Sequence, residues 1–115
     1  MRILVAVEPA DFRCGIDGLA AGCRKQLSSD PLCGAVFCFR SRRGTGVKLL
    51  CYHGQGFWLC HKRLSSGRFR FWPKGNGTGA STLLAHELQV LLCGGDPTGT
   101  QAAPVWRRVD GPAPI

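Results

Sequence analysis

Between residues 35 and 71 the chain repeats one pattern, a short β-rich stretch followed by a turn built on glycine. Residues 35–40, 47–53, 57–63 and 68–71 are rich in Val, Leu, Phe, Tyr and Trp, and they are divided by Ser41 to Gly46, by Gly54-Gln55-Gly56 and by Ser65-Ser66-Gly67. Short strands at a spacing of about 8–12 residues, with glycine turns between them, predict an antiparallel meander. Trp72-Pro73 closes the last strand, because proline has no N–H to give to a ladder. A chain of 115 residues has room for this sheet, a few helices and one core, and hence for one domain.

Two helical patterns flank the meander. Residues 2–7 read as a strand that Pro9 breaks. Asp11 then stands where a helix N-cap is wanted, ahead of a stripe at spacings of three and four formed by Phe12, Ile16, Leu19, Ala20, Cys23 and Leu27. Gly15 and Gly18 fall inside that helix at a cost of about 1 kcal/mol each, which points to a backbone or ligand approaching closely there. The helix ends near residues 28–30, ahead of Pro31. After a Gly-rich loop over 74–79, Leu84, Leu88, Leu91 and Leu92 mark a second helix over 83–93, stopped by Gly94-Gly95. Residues 97–115 hold four of the seven prolines and no periodicity, which predicts a flexible tail. The expected architecture is α+β: a small antiparallel meander with two helices packed on one face, in a single domain over 1–96, and a C-terminal tail over 97–115.

Charge is distributed unevenly over this plan. The formal net charge is +8, and residues 31–86 carry nine Lys or Arg and no Asp or Glu. A solvated surface normally intersperses both signs. An acid-free stretch of this length attracts polyanions, with strong salt dependence. Arg40, Arg42, Arg43, Lys48, Lys62, Arg63, Arg68 and Arg70 are the candidate phosphate contacts. Arg68 and Arg70 share one side of a strand, with Phe69 and Phe71 on the other, so the pattern predicts a cationic sheet face opposite an apolar one. Tyr52, Trp58 and Trp72 lie among the cations and have the chemistry to stack on bases, although packing on the sheet is the commoner role of such residues.

Other function classes find little support. No apolar run reaches the length of a membrane span, and the start of the chain has only five apolar residues before Glu8, too few for a secretory signal, so a cytoplasmic protein is expected. The seven cysteines, an odd number with no Cys-x-x-Cys, read as reduced apolar fillers. The nearest set with zinc-like chemistry is Cys51, His53, Cys60 and His61, and no metal or other cofactor is expected. Carboxylates are too few for two-metal phosphodiester chemistry, and no Gly-x-Ser-x-Gly or His-Glu-x-x-His occurs. What remains on the enzyme side is a small metal-independent nuclease using His53 and His61 as acid and base, with Lys62 beside them.

Four blocks carry a family resemblance over roughly residues 3–96. They are residues 9–20 (Pro-Ala-Asp-Phe-Arg-Cys-Gly-Ile-Asp-Gly-Leu-Ala); residues 37–44 (Phe-Cys-Phe-Arg-Ser-Arg-Arg-Gly) followed by Lys48-Leu49-Leu50; Gly54-Gln55-Gly56 with Lys62-Arg63-Leu64, Gly67-Arg68-Phe69 and Trp72-Pro73; and Leu91-Leu92-Cys93-Gly94-Gly95-Asp96. Together they resemble the TnpB accessory protein, the product of the second open reading frame, of bacterial insertion sequences of the IS 66 type. The resemblance implies a non-enzymatic accessory role in DNA transposition, beside a separate transposase that carries the catalytic acids. DNA at the element ends and that transposase are the implied partners. Asp11, Arg13, Asp17, Trp72 and Pro73 fall in the family motif with no known role; Arg13 and Asp17 are spaced for a local salt bridge. Acids that the family carries near Thr45, at His53, near Ser65 and near Cys93 are replaced here, which accounts for part of the acid-free stretch. DNA binding itself is inferred from charge, and a protein-interaction module docking on an acidic surface of the transposase is the alternative.

Overall fold

The computed structural model describes residues 2–74 and 79–97; most of the Gly-rich loop and all but the first residue of the expected tail lie outside them. Five strands form one sheet in the order β4-β3-β2-β1-β5. They are β1 (Ile3–Ala6), β2 (Val36–Arg40), β3 (Gly46–His53), β4 (Gly56–Arg63) and β5 (Ala80–Leu83), with α1 (Ile16–Lys25) between β1 and β2 and α2 (Ala85–Leu92) after β5. The meander is present as β2-β3-β4, with both pairs antiparallel. β1 pairs in parallel with β2, and α1 supplies the crossover that parallel neighbours require. The architecture is α+β with a mixed sheet.

Alternation along the strands assigns every side chain to one of two layers. Leu4, Ala6, Phe37, Phe39 and Leu50 point to one side and meet Leu19, Ala20, Cys23 and Leu27 from α1 and the residues after it. Ile3, Val5, Cys38 and Val47 point to the other side and meet Leu88, Leu91 and Leu92 of α2, with Phe69. The helices therefore cover opposite faces, which corrects the expectation of two helices on one face. The reason is visible in β1, whose four residues Ile-Leu-Val-Ala are all buried. An uninterrupted apolar strand has no polar side to offer solvent and needs cover on both faces. The pattern of a cationic face opposite an apolar one is replaced for the same reason.

Three further boundaries differ from expectation. Residues 68–71 form no strand. Phe69 is buried at 4% exposure while Phe71 is 46% exposed, so the alternation there does not mark two sheet faces. A strand, β5, stands at 80–83, where the sequence reads as the end of a loop and the start of a helix. Its register pairs Ala80 with Ala6 and Leu83 with Ile3, and the β-branched Thr82 sits opposite Leu4. The second helix accordingly begins at Ala85, where Leu84 N donates to Glu87 Oε1 at 2.7 Å, and ends before Gly94 in the left-handed conformation (φ +86°). The first helix begins at Ile16, not after Asp11. At Gly18 the close neighbour is a side chain, not another backbone or a ligand: a Cβ there would stand 2.6 Å from Cys14 Cβ, while at Gly15 nothing lies within 4 Å.

Candidate nucleic-acid interface

Two segments converge on the turn between β2 and β3. Ser41 N donates to Gly46 O (2.9 Å), and Ser41 Oγ accepts the N–H groups of Thr45 (3.2 Å) and Gly46 (3.0 Å), which fixes the turn from inside. Ala10 N donates to Arg40 O (2.9 Å) and Ala10 bridges Ser41, bringing the 10–14 loop alongside. On another side, Leu64 N donates to Thr45 O (2.8 Å) and Phe69 N to Gly44 O (2.7 Å), so the chain after β4 wraps the same turn. Arg42 and Arg43 project from the turn, Arg13 comes from the loop, Arg63 is paired in register with Gly46, and Arg68 passes within contact of Gly44. All five are exposed. Arg13, Arg42 and Arg43 line an open depression of about 580 Å³ with Asp11, Phe12 and Thr45.

Asp11 is the acid in this depression, and it is already engaged. Its Oδ1 accepts Arg13 N (2.9 Å) and Nε (3.1 Å), and its Oδ2 accepts Arg13 Nη2 (2.8 Å). The hydrogen bonds from the Arg13 side chain and backbone, helped by the nearby charges of Arg13 and Arg42, hold its carboxyl down at about 2. Asp11 is thus no helix cap, and Arg13 pairs with Asp11 rather than Asp17. Arg13 lies before the helix, so the four-residue spacing to Asp17 carries no helical geometry.

The eight candidate cations divide by where their charge goes. Arg42, Arg43, Arg63 and Arg68 are gathered at the turn, and Arg70 is exposed two residues beyond Arg68. Lys48 is 7% exposed. Its Nζ donates to Phe12 O (3.0 Å) and Cys14 O (3.2 Å) and lies 4.8 Å from the Phe12 ring centroid. Arg40 is half-buried; its Nη2 donates to Val7 O (3.2 Å) and its guanidinium lies over Trp72 at 5.8 Å. Lys62 Nζ donates to Leu92 O (2.7 Å), meeting a carbonyl in the last turn of α2 where the helix dipole favours a cation. Gly46 leaves little room beside this arrangement: a Cβ would stand 3.1 Å from the Phe12 ring and 3.3 Å from His61 Nε2, so those side chains would have to shift.

Of the aromatic residues, Trp72 Nε1 donates to Ala6 O (2.8 Å), tying the motif Trp72-Pro73 to β1, and Tyr52 packs edge-on against Phe57 at 5.1 Å. Trp58 is 65% exposed. His53 and His61 do not converge. His61 lies opposite Lys48 near one end of the β3-β4 hairpin, edge-on to Phe12, while His53 adjoins the turn at the other end. Among the described residues no three His, Cys, Asp or Glu gather as a metal set. Burial raises the thiols of Cys23 and Cys38 to about 12, while Cys33, Cys60 and Cys93 are exposed. Among the described residues no helix is long and apolar enough to cross a membrane. Arg13 is the cluster member that a charge count over residues 31–86 omits; the Ala10–Ser41 bridge, the bond from Ala10 N to Arg40 O and those from Lys48 to Phe12 O and Cys14 O bring its loop there.

The family of IS66 Orf2-like proteins matches residues 1–102. The chain belongs to that family. This makes it an insertion-sequence accessory protein. Two uncharacterized proteins of Sinorhizobium fredii (strain NGR234) are similar to this family member. One, y4jC, is 38% identical over 107 residues, 93% of this chain and 90% of its own length. The other, y4hO, is 40% identical over 96 residues, 84% of this chain and 82% of its own. No solved structure matches.

Proposed function

We propose that this accessory protein binds DNA, alone or within the complex of the element ends with their transposase, through phosphate contacts made by Arg42, Arg43, Arg63, Arg68 and Arg70. The observation that carries this reading is the convergence of four exposed guanidinium groups on one turn, where the one carboxylate among the described residues, that of Asp11, is already bonded to Arg13. Guanidinium groups match phosphate oxygens in a fork geometry, and those free of internal partners lose little on binding. Lys48, Arg40 and Lys62 give their charge to backbone carbonyls instead, tying the 12–14 loop, the end of β1 and α2 to the sheet. The chemistry stays with the transposase; here the protein supplies charge and position.

Fluorescence titration of labelled element-end DNA across a salt series tests this reading. Five phosphate contacts give a slope of log K against log salt of roughly −4.5. A slope near zero, or no binding at low salt, overturns it. If the protein then still co-purifies with the transposase after nuclease treatment, the cluster's partner is an acidic protein surface.

A further inference from the structure

β4 is an edge strand eight residues long, and no described residue pairs with its outer side. The outward backbone groups follow from the hairpin. His53 and Gly56 flank the two-residue turn Gly54-Gln55, both of whose φ angles are positive (61° and 72°), the I′ geometry in which the flanking pair is mutually hydrogen-bonded. At the other end Leu64 N donates to Thr45 O. Even-numbered residues of β4 therefore bond to β3, and Phe57, Leu59, His61 and Arg63 present N–H and C=O outward. Such an edge is a template for another strand.

The edge is complementary to a second copy of itself. Aromatic residues stand at one end (Phe57, Trp58) and cations at the other (Lys62, Arg63), with Cys60 midway. In an antiparallel pair centred on Cys60, Phe57 faces Arg63 of the other copy, Trp58 faces Lys62, Leu59 faces His61, and Cys60 faces Cys60. The outward groups all fall in hydrogen-bonded pairs in this register. Each aromatic ring meets a cation, a favourable contact, and no two cations face each other. Shape agrees as well. On the α2 side of the sheet, an apolar cavity of about 190 Å³ is lined by Val47, Leu49, Cys60, His61, Lys62 and Leu92. Trp58 lies on that same side, 65% exposed, and in this register it arrives beside Lys62 at the other copy's cavity.

We infer that the protein forms a two-fold dimer by antiparallel pairing of β4 with β4, making one ten-stranded sheet in which Trp58 of each copy fills the cavity of the other. A two-fold contact of this kind uses the same patch on both copies, as closed dimers do. This inference does not rest on the DNA-binding reading. Salt separates the two: copies that each carry +8 repel, so screening strengthens the dimer while it weakens binding to DNA.

Sedimentation equilibrium of the full chain without DNA, over a range of concentrations and salt, tests the dimer. A second readout uses Cys33→Ser/Cys93→Ser protein, in which Cys60 is the remaining fully exposed thiol. The facing Cys60 residues form a non-hydrogen-bonded pair with Cα atoms about 4.5 Å apart, within disulfide range. Diamide, taking two electrons and two protons from the two thiols, should yield a covalent dimer that dithiothreitol reverses. Trp58→Ser should raise the dissociation constant at least about tenfold, as loss of a central tryptophan does. His61→Pro removes an outward N–H and should do the same while retaining the wild-type circular dichroism spectrum. Should the proline variant fail to fold, Trp58→Ser, a change at an exposed side chain, decides the matter. A monomer at every concentration and salt, a dimer indifferent to Trp58→Ser, or a dimer without the Cys60 cross-link would each overturn the inference.

Discussion

Lys48 and Arg42 are six residues apart in the same acid-free stretch, yet they have opposite fates. Arg42 stands in solvent at the rim of a depression. Lys48 is buried and spends its ammonium on two backbone carbonyls of the 12–14 loop. Arg40, half-buried, and Lys62, exposed, likewise give their charge to carbonyls, Val7 O and Leu92 O, whereas Arg43, Arg63 and Arg68 stand in solvent. Net charge therefore overstates the charge offered to a partner. Lys48, Arg40 and Lys62 have carbonyl oxygens as partners in place of acids; a carbonyl accepts a charged hydrogen bond and needs no counter-charge in sequence.

The sharpest break between the two groups is stability. Lys48→Met keeps the stem and removes both charged hydrogen bonds, each of a class worth about 1.5–3 kcal/mol, so urea denaturation should show a loss of about 3–6 kcal/mol. Trp72→Phe keeps the ring beneath Arg40 but removes the bond from Nε1 to Ala6 O, and should cost about 1–2 kcal/mol in the same measurement. Arg42→Ala/Arg43→Ala, on the exposed side of the comparison, should leave stability within about 0.5 kcal/mol of wild type. A large loss there would dissolve the distinction.

The smallest effect concerns pH. The Asp11 carboxyl is held at about 2, below its ordinary 3.8. A depressed folded value means that the ionised pair with Arg13 stabilises the loop above the unfolded value and is lost as pH falls from about 4 toward 2. A carboxyl NMR titration should place the Asp11 midpoint near 2 in the wild type. In Arg13→Ala it should return toward the ordinary range.

The hairpin strands were legible because their apolar runs are bounded by glycine, as at Gly54. β5 was not, since Ala-Ser-Thr-Leu has no strand signature of its own and becomes a strand by pairing with β1. Its presence displaces the start of α2 to Ala85. At the site, Arg42, Arg43, Arg63 and Arg68 were legible as charge, but their separation from Lys48 and Arg40 was not. A cation's fate depends on whether a carbonyl from a distant segment, such as Phe12 O or Val7 O, arrives beside it. Charge counting registers no such carbonyl. Trp72 was legible as a motif residue without a role, and its indole N–H on β1 supplies a structural one.

The most direct test of the division is the salt dependence of DNA binding in two folded variants measured side by side. Arg42→Ala/Arg43→Ala should flatten the slope of log K against log salt by about 1.8, since each lost phosphate contact removes about 0.9. Lys48→Met, measured at a temperature where it remains folded, should leave the slope at its wild-type value. An unchanged slope in the double variant, or a flattened one in Lys48→Met, would contradict the assignment of exposed arginines to DNA and buried cations to the fold.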